Sequence, residues 1–150
     1  MKTIKQALYN ACREHIEERV TEIRRKLTAI EEAQNNETKS SAGDKYETGR
    51  TMMHIEAQNA NIQLAQALDT KRKLLSIKYD KEYTQVGAGS LVATDKGSYF
   101  VAIGIGRVTL EGSRYFCISP ESPIGRLLIG KRIGEEIVFN DNHFIIKEIY

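Results

Sequence analysis

Residues 35–50 read Asn35-Asn36-Glu37-Thr38-Lys39-Ser40-Ser41-Ala42-Gly43-Asp44-Lys45-Tyr46-Glu47-Thr48-Gly49-Arg50. A polar stretch with a glycine and a serine pair interrupts helical order, and this one lies between two long runs of helical periodicity. Glu37, Asp44 and Glu47 make it acidic as well as polar. Two helices of similar length joined by a short polar turn form an antiparallel hairpin, so this stretch is read as the exposed tip, centred on about residues 35–44. Chemistry delivered by such a hairpin is expected at that tip.

Upstream, apolar residues recur at Ile4, Leu8, Cys12, Ile16, Val20, Ile23, Leu27 and Ile30. Steps of three and four place them on one helical stripe, with charges such as Glu18, Glu22 and Arg24-Arg25-Lys26 between them. No Gly or Pro interrupts the run from Ile4 to about Gln34, which predicts a helix roughly 48 Å long at about 1.5 Å per residue. Downstream, from about Lys45 to Lys78, the best seam is Met53, Ala57, Ala60, Leu64 and Ala67, followed by Leu74 or Leu75. That 4-3-4-3 spacing is a coiled-coil repeat, and its alanines allow close approach of the partner helix.

After Lys78 glycine becomes frequent and β-formers replace helix-formers. The pattern predicts strands at Ser90–Thr94, Tyr99–Ile105, Arg114–Ile118, Glu136–Phe139 and His143–Ile149. Asp95-Lys96-Gly97 and Asn140-Asp141-Asn142 are the hairpin turns. Between the third and fourth strands, Ser122-Pro123 opens a short helix and Gly130 stops it. The fold class is therefore a two-part α+β chain: a long antiparallel helical hairpin over residues 1–79, then a small antiparallel β domain with one helix over residues 80–150.

Composition narrows the function. The net charge is +2, too little to argue for nucleic acid. Cut at Asp80, the first part has 14 basic against 12 acidic residues and the second has 8 of each, so neither is a basic module. Cys12 and Cys117 belong to no CxxC pair, so no zinc site or disulfide framework is indicated, and two lone thiols fit a reducing cytoplasm. The start, Met1-Lys2-Thr3-Ile4, opens into a charged amphipathic helix with no run apolar enough for a signal peptide or membrane span. A soluble cytoplasmic protein is expected.

The segment Ser119-Pro120-Glu121-Ser122-Pro123-Ile124-Gly125-Arg126-Leu127-Leu128-Ile129-Gly130-Lys131 resembles the "NSPIARGLIGK" signature of the Gre family of bacterial transcript-cleavage factors. Gly134-Glu135-Glu136-Ile137-Val138 and Ile145-Ile146-Lys147-Glu148-Ile149 stand where that family's pattern has them. Ala42 to Arg50 is similar to the family's "ENAEYHAAR", anchored on Tyr46 and Arg50. The resemblance implies that the C-terminal domain is FKBP-like and docks at the secondary channel of RNA polymerase through Ser122, Pro123, Ile124 and Gly125. The hairpin then reaches the active site, where Lys39, Ser40, Tyr46 and Arg50 bind. There the tip carboxylates Glu37 and Asp44 help hold a Mg²⁺ shared with polymerase, so that polymerase cleaves its own backtracked transcript. Such a protein is a cofactor of another enzyme, tightly binds no cofactor itself, and meets nascent RNA only indirectly. Sequence-specific DNA binding, membrane association and self-association are not implied; a monomer is expected.

The tip departs from the family's "GDLKENAEYHAAR". Glu37-Thr38-Lys39 stands for "DLK", but Ser40 then falls where the second carboxylate belongs, and Gly43-Asp44 is an insertion. Asp44 fits two readings: a replacement carboxylate, or the N3 member of a capping box begun by Ser41. Glu47 is read as offsetting the dipole at the start of the second helix. Lys71-Arg72-Lys73 is read as a solvated face in preference to a docking surface. His15, His54 and His143 are isolated and have no metal spacing. Gly104-x-Gly106 lacks the rest of a dinucleotide fingerprint, and Ser119, Ser122 and Cys117 sit in no nucleophile motif. Two rivals remain: a non-cleaving regulator of the polymerase channel, and a coiled-coil structural protein.

Overall fold

A computed structural model describes residues 1–38 and 43–150, with side chains described over 1–36 and 48–150. Helix α1 spans Lys2–Thr38 and helix α2 spans Gly43–Leu75. By contacts, the described residues fall into two compact units, Ile16–Arg72 and Met1–His15 together with Lys73–Tyr150.

In the first unit the two helices run antiparallel. Glu17 of α1 faces Lys71 of α2 at 4.0 Å, while Gln34 and Asn35 at the far end border the same hollow as Arg50 and His54. Ile16, Val20, Ile23 and Ile30 are buried on the α1 side, and Ala60 and Ala67 on the α2 side. Alternating large and small residues let the backbones come close along the seam, as the heptad spacing predicts. The exposed flanks are polar apart from Met52, Ile55, Ile62 and Leu68.

The second unit is built on a six-stranded sheet ordered β3-β4-β2-β1-β6-β5. Its strands are β1 Leu91–Thr94, β2 Gly97–Val101, β3 Gly106–Leu110, β4 Ser113–Ile118, β5 Glu136–Phe139 and β6 Asn142–Ile149, with helix α3 at Pro123–Leu128 before β5. All five expected strands are present, with two differences. The strand expected over Tyr99–Ile105 ends at Val101, and Gly106, at φ +84°, turns the chain into a further strand, β3. Alternation in Gly106–Leu110 is weak and half exposed, because an edge strand buries little and so shows little pattern. As a result β2 and β4 pair in parallel while every other pair is antiparallel. The sheet is mixed because the β3–β4 hairpin returns β4 alongside β2.

Both faces of this sheet are covered. Val92, Tyr99 and Phe116 share one face across β1, β2 and β4. They pack with Val101, Ile137, Phe144, Ile146 and Leu128 of α3 in one apolar cluster. Leu91, Phe100 and Cys117 share the opposite face, and all three are fully buried. That face is covered by the first turns of α1: Leu8 and Cys12 are fully buried, and Thr3, Ile4 and Ala7 line a hollow with Ser113 and Tyr115. The unit thus has three layers, α1 start, sheet and α3. From sequence, Ile4, Leu8 and Cys12 are indistinguishable from the hairpin seam that continues their stripe.

Residues 79–83 bind the start of α1 in place. Tyr9 stacks on Tyr79 with ring centres 4.4 Å apart. Lys5 is buried, donates to the Lys81 carbonyl at 3.1 Å and lies 4.8 Å from the centre of the Tyr83 ring. Burial pushes its ammonium down from 10.5 to about 8, opposed by the nearby Asp80 carboxylate. The unfolded chain therefore holds more protons than the folded one between about pH 8 and 10.5. Stability from this group rises with pH through that window and is lost as pH falls through 8. The stability of the wild type relative to Lys5→Met is expected to increase when urea unfolding is moved from pH 7 to pH 10; an unchanged difference would contradict the assignment.

Candidate functional site

The tip residues on which the expected chemistry rests fall largely outside the described residues. Lys39 and Ser40 lie in the undescribed stretch, as does Ser41, the proposed N-cap. Glu37 falls in the last turn of α1 and Asp44, Tyr46 and Glu47 in the first turns of α2, with their side chains outside the described set. Asp44 is therefore two residues into a helix, which places its backbone within the first turn whether its role is capping or metal binding.

Arg50 is described. It lines a cleft of about 490 Å³ with Gln34, Asn35, Thr51 and His54, adjoining the tip. Arg50 and His54 are four residues apart and so stand on one face of α2. No carboxylate lines this cleft among the described residues. A guanidinium, an imidazole and two side-chain amides suit an oxygen-rich anion such as a phosphodiester. The sequence by itself gives His54 no role; its i, i+4 spacing from Arg50 is the signal that pairs them.

The second candidate region is the signature around α3. Ser122 is its N-cap, and its hydroxyl accepts from the Gly125 amide at 3.1 Å while donating to the Ser119 carbonyl at 2.7 Å. Pro123 occupies the first turn, where its missing N–H is no loss. Ile124 packs on the apolar cluster beside Leu128. Gly125 is buried, and a Cβ there would lie 2.0 Å from the Ser119 carbonyl oxygen. Gly130, at φ +82°, ends the helical segment as the sequence predicts. Every polar atom of Ser122 and Gly125 in this turn is thus committed to holding the loop. What the region presents outward is Pro123, Leu127, Ile129 and Ile133, followed across β5 and β6 by Val138 and Ile145.

Charge around the base of α2 is matched. Lys71 faces Glu17 at 4.0 Å, Arg72 bonds Asp69 at 2.7 Å, and Lys73 reaches Glu121 at 3.3 Å. These are exposed pairs, each worth about 0–1 kcal/mol, and they fit the solvated-face reading of the Lys71-Arg72-Lys73 run. His143 is paired with Glu136 across β5 and β6. No group of three or more His, Cys, Asp or Glu side chains suited to a metal occurs among the described residues. No described helix is long and apolar enough to cross a membrane.

Comparison with protein-family models and with curated proteins finds no match. Among solved structures, that of the transcription factor Gfh1 is similar over 93% of this chain and 94% of its own, at 19% identity and a TM-score of 0.37. A likeness at that level says nothing about activity.

Proposed function

We propose that this chain is a Gre-type transcription elongation factor that binds RNA polymerase in its secondary channel and stimulates the polymerase's own cleavage of backtracked transcripts. The observation that carries the reading is one of sequence on fold. The acidic 35–50 stretch spans the end of α1 and the start of α2, which run antiparallel, and the Ser119–Lys131 signature follows on a mixed-sheet unit. The chain acts as a cofactor without turnover of its own. Glu37 and Asp44 supply carboxylates to a Mg²⁺ held jointly with polymerase, since a hard cation that keeps several waters is retained by added oxygen ligands. Arg50, with His54, steadies phosphate near that ion. The apolar side chains beside Ser122-Pro123, namely Leu127, Ile129 and Ile133, contribute the docking surface on polymerase.

A non-cleaving channel regulator is the second reading, favoured by Ser40 standing where the second family carboxylate belongs. Cleavage of a stalled, backtracked complex by the cognate polymerase, with and without this protein, separates the two. Stimulation that disappears in Glu37→Ala or Asp44→Ala establishes the cleavage factor. Channel binding without stimulation, with cleavage appearing in Ser40→Glu, establishes the regulator. Absence of any affinity for polymerase would sink both and leave a structural coiled coil.

Arg50→Ala gives an independent check on the cleft. Arg50 is exposed, so the change is expected to leave stability within about 0.5 kcal/mol. Stimulation of cleavage should fall several-fold, with a smaller dependence on salt than the wild type, as loss of one phosphate contact requires. Unchanged stimulation and salt dependence would remove the cleft from the mechanism.

A further inference from the structure

We propose that the hollow between the start of α1 and the β3–β4 hairpin is a binding site for a small aromatic amine, which lays its ring on the apolar floor and its ammonium against Glu111. This inference is independent of the polymerase reading.

The hollow is a product of register. Along β4, Ser113, Tyr115 and Cys117 alternate onto the face that α1 covers. Leu110 pairs with Ser113 across the hairpin, so it stands on the same face. Ala7 follows Thr3 by four residues and Ile4 by three, which puts all three on one side of the first turns of α1. Glu111 and Gly112, at φ 49° and 81°, make the tight turn that closes the hairpin, and Glu111 borders the space between hairpin and helix. That space measures about 200 Å³. An apolar cavity of about 150 Å³ is enough for benzene, so a ring with a short side chain fits.

Its polar groups are uncommitted. Among the described residues no hydrogen bond or ion pair engages the side chains of Thr3, Glu111, Ser113 or Tyr115. Tyr115 is the telling one, since it is only 8% exposed. No polar side-chain atom among the described residues is fully buried without a partner, so the Tyr115 hydroxyl opens into the hollow that its ring lines. Four unused polar groups thus surround a floor made by Ile4, Ala7, Leu110 and the Tyr115 ring. Glu111 is the one charged side chain lining the space among the described residues, which disfavours an anion and favours a cation. An ammonium has three N–H donors, which a carboxylate and neighbouring hydroxyls accept. The floor takes up a ring and excludes water from that contact. A small amine with an aromatic body answers both halves of the site.

The test adds phenethylamine to the folded wild-type chain and follows the backbone amide resonances by NMR. The expected result is a saturable shift confined to residues 3–7 and 110–115, with a midpoint at about millimolar concentration. Glu111→Gln keeps the shape of the rim and should weaken binding about two- to fivefold; Tyr115→Phe keeps the ring and should weaken it by a similar factor. Phenethyl alcohol, which has the ring without the charge, should bind the wild type more weakly than the amine. Ala7→Leu fills the hollow and should abolish the shift. Where Ala7→Leu or Tyr115→Phe does not fold, Glu111→Gln, at an exposed turn position, decides. A shift that does not saturate, one spread over residues away from the hollow, or undiminished affinity in Glu111→Gln would overturn the proposal.

Discussion

Replacing Phe100 with alanine is expected to cost about 3–5 kcal/mol, a large share of the roughly 5–15 kcal/mol that holds a domain folded. Phe100 is the largest fully buried side chain among the described residues. It sits in β2 between Leu91 of β1 and Cys117 of β4, so hydrogen-bonded strands on either side prevent the site from collapsing around the space left behind. The cost therefore includes a cavity term as well as lost transfer energy. Because Phe100 lies on the face that the α1 start covers, amide exchange should accelerate in residues 2–15 as well as in the sheet. A change in urea midpoint equivalent to less than about 1 kcal/mol, or unchanged exchange in α1, would show that this face is not a packed core.

Gly125→Ala is expected to be the second severe change, at about 2–4 kcal/mol, combining a steric displacement of about 1–3 with partial loss of a cap worth about 1. The new methyl would meet the Ser119 carbonyl oxygen at 2.0 Å and the Ser122 hydroxyl at 2.9 Å. The first is backbone and is held by the Ser122 hydroxyl and amide at 2.7 and 3.1 Å, so it yields only by releasing the helix cap. Gly130→Ala makes the comparison: Gly130 has positive φ but no heavy atom within 4 Å of its would-be Cβ. It should lose only about 1 kcal/mol, from backbone conformation alone. Equal losses at both positions would mean that close approach is not what demands glycine at 125. Since Gly125 belongs to the segment proposed above to dock on polymerase, binding of Gly125→Ala is best measured at a temperature where it remains folded.

The hairpin was legible because its two signals are long and one-dimensional: a helical stripe and a heptad seam separated by a polar break. Four of the strands expected matched the structure within one residue at each end, since Asp95-Lys96-Gly97 and Asn140-Asp141-Asn142 mark turns and the strands beside them alternate. Ser122 as N-cap and Gly130 as stop were equally local. What escaped the sequence was non-local. The β3 edge strand shows little alternation because it buries little. The parallel β2·β4 pairing depends on a hairpin that itself went unread. The double use of the α1 stripe was hidden, because an apolar residue at helical spacing records that one face is buried, not which partner buries it. The candidate site divides in the same way: Arg50 came from a motif, whereas its pairing with His54 in one cleft needed the opposing residues Gln34 and Asn35.

The grouping of Met1–His15 with Lys73–Tyr150 has a consequence for how the chain comes to be folded. On the ribosome the start of α1 emerges before the sheet, and the sheet face that receives Leu8 and Cys12 is completed only when β4 has left the exit tunnel. Until then that apolar patch has no surface to bury against, while residues 16–72 already hold everything their own unit needs. Synthesis order and assembly order therefore part company: the hairpin closes early from near neighbours, and the α1 start, made before it, docks after it.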